Sequence, residues 1–456
     1  MILQSFLIFL PALIAGFGLM HLFWKNDHPA AILVKIFSGI GLGLGITSGF
    51  YFLRLLLFPG QGGYLLIQCL LLIAVLIGFF FQKRFTVSFR ILSPSQLGVV
   101  LGAAAILAGI IALYYLVTFA RLTPHGDYDA QAIWNLRARF IYRSGDAWQA
   151  AFSPLINRNF HMDYPLLIPI SVVGGWNALG GEVLRVPAVL SMLFLVGMAG
   201  ILYSTLAYLR SSSQAAIAAI ILLATPSLLL FSTFQTSDIP LTYFFLASTS
   251  LFVLAANENS RGLLFLSGLM AGLSAWTKNE GLPFLVLIVV LAGVVFSLRK
   301  VYTHILAFLA GTVFPLLIIL LFKILISVNN DLFTNNGLPE MIGKTLDPVR
   351  YLQIVSHLAS ELLHLGNWPF SIITLLIIYG WILGIRKPDN ISEKASWTLP
   401  ASQLVTYLLV YVVTPHDLQW HMNYSMSRLI MHLFPLALLS FFLFVNTPEI
   451  VVNKGK

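Results

Sequence analysis

Apolar residues run along the chain in long unbroken stretches joined by short polar turns, and nowhere do they alternate with polar ones in the period-two pattern of a barrel strand. The stretches fall near 1–23, 31–57, 64–81, 97–120, 188–208, 214–232, 239–256, 262–276, 282–298, 304–326, 369–385, 398–414 and 429–446. A helix of about 20 apolar residues covers the hydrocarbon of a bilayer and satisfies its own backbone there. The pattern predicts an all-α integral membrane protein of about 13 transmembrane helices. Residues 1–23 carry no charge before Lys25, whereas a cleaved leader starts basic, so this stretch is read as the first span.

Two segments, 121–187 and 327–368, are long and polar. Counting spans puts both on one side of the membrane. Lys25, Lys83, Arg84, Arg90, Arg210, Arg261, Arg299, Lys300, Arg386, Lys387, Lys394, Lys454 and Lys456 fall on the other, as cytoplasmic loops favour. Lys278 and Arg428 break this bias. With 58% hydrophobic and 9% charged residues and a mean hydropathy of +0.89, the chain is too apolar for a soluble core. The net charge of +9 reflects membrane topology rather than a nucleic-acid surface. Cys69 is the only cysteine, which excludes a disulfide framework and a thiolate metal site. Short tails without disulfides fit a bacterial inner membrane, with the long segments in the periplasm. Residues 1–96 are read as accessory N-terminal transmembrane helices ahead of a main membrane domain, 97–456.

Candidate chemistry collects on the side of the long segments. Asp127 and Asp129 follow the fourth span, and from Ala130 the chain reads as a helix in the headgroup plane, with Ile133, Trp134, Phe140 and Ile141 at helical spacing. Asp129 either caps that helix or accepts a proton from an acceptor hydroxyl. His161, Asp163 and Tyr164 run into Pro165, which suggests a re-entrant or surface turn, either a loop anchor or part of a site. Asp238, just before Pro240, caps the next helix or faces the acidic pair. Lys278 pairs with Glu280 or holds a phosphate in a poorly hydrated cleft. Arg428 and His432, one turn apart, converge on an anion, unless Arg428 snorkels to the interface. His416, His421 and His432 lack a diagnostic metal spacing. Gly39, Gly41, Gly43 and Gly45 lie inside the second span, where close helix packing accounts for them.

Taken in order, these segments resemble the polytopic glycosyltransferases of the GT-C superfamily, which includes protein O-mannosyltransferases and lipid A aminoarabinose transferases. The likeness covers roughly 97–446. It is carried by the acidic pair, the Ala-Arg-Phe-Ile-Tyr-Arg-Ser-Gly-Asp-Ala-Trp stretch ending at Trp148, Tyr-Pro-Leu from Tyr164, and Gly-Glu-Val-Leu-Arg ending at Arg185. Ser-Asp-Ile-Pro-Leu from Ser237, Thr-Lys-Asn-Glu-Gly from Thr277, and Ser-Arg-Leu ahead of Pro435 complete it. The chain departs from the family in having Asp-Tyr-Asp where relatives often have Asp-Glu, Tyr-Pro-Leu where Pro-Pro-Leu is common, and three extra N-terminal spans.

The resemblance implies that 97–456 is a GT-C-like catalytic domain moving a sugar from a polyprenyl-phosphate donor to a hydroxyl of a glycan, lipid or protein. It implies Asp129 or Asp127 as the base and Lys278 and Arg428 as phosphate ligands. Around the substrate it groups Glu280, Tyr164, His161, His421 and His432. Asp163 and Asp238 become carboxylates that either support the groups touching substrate or associate with a divalent cation, magnesium or manganese. Two other functions compete. A transporter or lipid flippase would carry ionisable groups at the bilayer midplane, for which Lys35, Arg54 and Lys323 are the candidates. An O-antigen-type ligase or polymerase would use a similar donor. Sugar transfer requires Asp129, Lys278 and Arg428 to meet in one hollow.

Overall fold

The computed structural model describes residues 2–83, 94–153, 155–156, 161–326, 337–388 and 391–450. Arg84, Arg90, Arg158, Lys454, Lys456 and positions 327–336 of the second long segment lie outside them. The structure is 83% helical, and the described residues contain no strand.

Among the described residues ten helices are long and apolar enough to cross a bilayer: Ile2–Phe23, Pro29–Leu57, Tyr64–Gln82, Gln96–Leu122, Arg185–Leu209, Asp238–Glu258, Gly281–Leu298, Tyr302–Leu325, Ile391–Val413 and Leu418–Phe444. Counting each of two bent pairs as one broken span gives 12. Ser212–Ala224 meets Pro226–Thr233 at 60°, and Pro348–Asn367 meets Ile372–Leu383 at 80°. The expected count of about 13 also took 262–276 as a crossing. That stretch is the helix Arg261–Thr277, 17 residues long and buried along most of its length.

Asp238–Glu258 is the central rod, buried from Asp238 to Ala256, with Arg185–Leu209 and Pro29–Leu57 packed beside it. Glycines allow the tightest approaches, as expected for the second span. A Cβ on Gly43 would sit 1.8 Å from the Ala12 carbonyl oxygen, and one on Gly39 2.6 Å from the Phe17 nitrogen. The Gly41 N–H donates to the Tyr243 hydroxyl of the central rod at 2.9 Å. The N-terminal spans are thereby built into the core. Gln96–Leu122 and Tyr64–Gln82 stand at the periphery with apolar faces exposed, as lipid-facing helices do.

One element falls where the sequence reading has only an outward loop. Leu167–Leu179 is an apolar helix of 13 residues whose positions 167–176 are all buried. It is too short to register as a span. Pro169 sits in its first turn, where no intrahelical acceptor is needed, and Gly180, at φ 72°, stops it.

Candidate active site

The first outward loop is docked onto the turn that precedes the central rod. Gly126 has a φ of 74°, and a Cβ there would lie 2.6 Å from the Phe234 carbonyl oxygen. The Asp127 N–H donates to that carbonyl at 3.2 Å, and Asn135 Nδ2 donates to Gln235 Oε1 at 3.1 Å. This docking brings Asp129 alongside Asp238, the first residue of the rod. Ala130–Trp134 forms a π-helical turn, an uncommon geometry often found at functional sites. Neither aspartate caps its helix through its side chain, so the capping readings fail for both.

Both carboxylates turn instead to Arg428, which rises from the Leu418–Phe444 helix. Arg428 Nη1 lies 2.5 Å from Asp129 Oδ2, while Nη2 and Nε lie 2.6 and 3.1 Å from Asp238 Oδ2. On its other oxygen Asp238 takes Lys278 Nζ at 2.9 Å and His432 Nε2 at 3.0 Å. Thr236 Oγ1 donates to Asp238 Oδ2 at 2.9 Å. Lys278 also reaches Glu280 Oε1 at 2.7 Å. The Asp238 side chain is 3% exposed, against 23% for Arg428 and 26% for Asp129. The network therefore has a dry inner end at Asp238 and a wet outer end at Asp129.

Electrostatics lock the inner end in its charged form. Burial alone would lower the Lys278 pKa, but the Asp238 and Glu280 carboxylates outweigh it and hold the ammonium well above its usual range. Burial likewise pushes Glu280 up, and Lys278 more than reverses that, leaving the carboxyl below its usual range. Burial and the Glu280 charge push the Tyr164 phenol upward, so it stays neutral.

The His161–Pro165 turn is gripped through its backbone. Buried Arg137 donates to the carbonyls of His161 and Tyr164 at 2.9 and 3.2 Å. Burial lowers its pKa to about 10 against the pull of Asp163. Lys323 donates to the Asp163 carbonyl at 2.6 Å and to Asn279 Oδ1 at 3.2 Å, and Asn279 Nδ2 donates to Asp163 Oδ2 at 2.6 Å. So held, the Tyr164 ring stacks with Trp134 at 5.3 Å and with His161 at 4.8 Å, and Lys278 Nζ lies 5.8 Å from its centre.

Six of the expected residues thus share one bonded network: Asp129, Asp238, Lys278, Glu280, Arg428 and His432. Tyr164, His161 and Asp163 adjoin it through the gripped turn. Two stand apart. Asp127 is exposed and tied to Phe234 through its backbone, and His421 bonds Thr414 Oγ1 at 2.8 Å beside the Tyr411 ring. Sequence reasoning gave no site role to Arg137, Asn279 or Lys323. Lys323 had a signal: it closes the 304–326 span on the side where basic residues are scarce, as Lys278 and Arg428 do. The three charges considered for transport lie toward the ends of their helices. Lys35 reaches the Asn26 carbonyl at 3.2 Å near one end of its helix, Arg54 bonds Gln61 O at 3.2 Å near the other, and Lys323 belongs to the site.

The two carboxylates nominated for a divalent ion do not fit one. Asp238 already receives Arg428, Lys278, His432 and Thr236, and Asp163 Oδ2 is engaged by Asn279 with Lys323 3.9 Å away. Among the described residues no three His, Cys, Asp or Glu side chains group as ligands. Lys278 and Arg428 bring positive charge to this site.

No curated protein and no solved structure matches the chain. The model of the dolichyl-phosphate-mannose-protein mannosyltransferase family matches residues 172–322, about a third of the length. That stretch contains the central rod with Asp238, the Lys278–Glu280 turn, and the helix Tyr302–Leu325 up to the residue before Lys323. A multi-span helical fold and this match over residues 172–322 together make the chain similar to membrane glycosyltransferases of the GT-C type.

Proposed function

We propose that the protein transfers a sugar from a polyprenyl-phosphate donor to a hydroxyl acceptor at the periplasmic face of a bacterial inner membrane, with Asp129 as the base. The observation that carries this reading is the bridge made by Arg428, 2.5 Å from Asp129 and 2.6 Å from Asp238. A guanidinium fork binds phosphate oxygens as readily as carboxylates. An arriving donor phosphate competes with Asp129, at the wet end, rather than with Asp238, which Lys278 and His432 hold from the other side.

Once Arg428 turns to the phosphate, the Asp129 carboxylate is released to face the acceptor. The acceptor oxygen attacks the anomeric carbon, its proton passes to Asp129, and the bond from that carbon to the phosphate oxygen breaks. The phosphate leaves with the electron pair, and Arg428 and Lys278 stabilise the charge growing on it, which is where fixed cations lower a barrier most. A site at the end of the spans lets the prenyl tail stay in lipid.

The test is turnover of polyprenyl-phosphate mannose by purified protein. Asp129→Asn is expected to lose roughly 10²–10⁴-fold in rate, the usual contribution of a positioned base, with Asp127→Asn near wild type. Undiminished turnover by Asp129→Asn removes the base. If Arg428→Lys binds plain polyprenyl phosphate as tightly as wild type, the phosphate site is wrong.

A further inference from the structure

We infer that Phe52, from the N-terminal spans, is a positioning residue for the phosphate-binding cations, so that those spans complete the site rather than merely accompany it. The inference rests on the reading of Lys278 and Arg428 as phosphate ligands.

Beneath the charged network lies a floor of aromatic rings from separate parts of the chain. Phe52 is fully buried at the outward end of Pro29–Leu57 and touches three of them: Trp276 at 5.1 Å, Trp148 at 6.3 Å and Phe322 at 6.3 Å between ring centres. Phe152 joins through Phe322 at 5.7 Å. The same helix pins two of these rings by their polar atoms. Trp276 Nε1 donates to Ser48 Oγ at 3.1 Å, and Trp148 Nε1 donates to the Leu55 carbonyl at 3.0 Å.

Three rings of the floor are adjacent, in sequence or in space, to a cation of the site. Trp276 is two residues before Lys278, at the end of its helix, where the backbone turns extended. Phe322 precedes Lys323, whose Nζ stands 5.7 Å over its ring, and the Arg137 guanidinium lies 5.4 Å from the centre of Phe152. A shift of Trp276 is transmitted to Lys278 with little slack, because the next helix packs hard against the same turn. A Cβ on Gly281 would lie 2.2 Å from the Ser274 backbone. Phe52 is the ring common to Trp148, Trp276 and Phe322. Truncating it lets them relax, and a displacement of about 1 Å at a charged group is enough to cost up to 10²-fold.

The test uses the full chain in lipid nanodiscs, with plain polyprenyl phosphate as probe. Phe52→Ala is expected to weaken binding about tenfold or more, and Phe52→Leu, which refills most of the volume, to recover most of it. Phe9→Ala is the control. Phe9 is also fully buried in the N-terminal spans but packs on Tyr64, away from the floor, so it should lower the unfolding temperature comparably and leave binding within about twofold. Equal weakening by Phe9→Ala and Phe52→Ala would reduce the effect to general loosening and overturn the inference. So would wild-type binding by Phe52→Ala, or, should Phe52→Ala fail to fold, by Phe52→Val, which leaves more of the ring's volume empty than leucine does and is expected to weaken binding. Lys278→Gln and Arg428→Lys separate the two levels. Wild-type binding by both defeats the reading of the site itself, whereas loss in both with normal binding by Phe52→Ala defeats only the role given to Phe52.

Discussion

Asp238 makes the least dispensable contacts in the site, although its sequence neighbourhood presents it as an ordinary helix start. Its carboxylate is nearly inaccessible and opposes a guanidinium, an ammonium and an imidazole. Removing one member of a buried charge set leaves the others uncompensated, so Asp238→Asn should cost about 3–5 kcal/mol, read as a lower unfolding temperature of the purified protein. Arg428→Lys should fare poorly for a different reason. A single ammonium cannot span both Asp129 and Asp238 as the fork does.

The Lys278–Glu280 pair sets a pH signature. Glu280, lowered in the fold, stabilises above the ordinary glutamate pKa of about 4.3 and loses that contribution as pH falls through its lowered value. Lys278, raised in the fold, stabilises below about 10.4 and loses that contribution only as pH rises through its raised value. The difference in unfolding temperature between wild type and Glu280→Gln should therefore stay flat from about pH 6 to 9 and shrink below about pH 4. A difference that changes steadily between pH 6 and 9 contradicts the pairing.

At the scale of elements, periodicity and length located the long helices well, because each must satisfy its backbone within lipid whatever its neighbours do. It failed where an element owes its place to neighbours. Leu167–Leu179 is shorter than a span and begins beside two prolines, yet it is buried through contacts with Pro29–Leu57 and Tyr64–Gln82 before it and Arg185–Leu209 and Arg261–Thr277 after it. Pro348–Leu363 gives another case. Arg350 donates to the carbonyls of Tyr411 and Val412, both at 3.1 Å, and Lys344 to that of Thr414 at 2.9 Å, tying this polar stretch across the end of another helix. The glycine ladder is the element-scale feature that residue type did reveal. Gly43→Ala would drive a methyl into the Ala12 carbonyl, pushing Pro29–Leu57 away from Leu10–Phe23. A loss of about 1–3 kcal/mol, seen in thermal unfolding, is expected, whereas unchanged stability would contradict that backbone contact.

For the whole molecule, basic residues in short loops define two faces, and the charged network lies on the face with fewer of them. Sidedness can be checked in a Cys69→Ser background. Tyr128→Cys, at an exposed position of the first outward loop, should react with a membrane-impermeant thiol reagent in cells whose outer membrane has been permeabilised. Lys387→Cys, exposed at the opposite face, should react only after lysis. The reverse pattern would put the site in the cytoplasm and undo the periplasmic assignment.

The sequence by itself determined that the chain lies in a membrane, where most spans run, and which charges share a face, since hydropathy and loop charge act locally and need no knowledge of contacts. It also supplied most members of the site as a list. Only the tertiary structure decided how they pair: Arg428 between two carboxylates, Lys278 against Asp238 as well as Glu280, and Lys323 and Arg137 drawn in to hold the turn bearing Tyr164. A charge in a poorly hydrated cleft takes whichever counter-charge the packing of distant helices delivers, and no spacing along the chain encodes that choice.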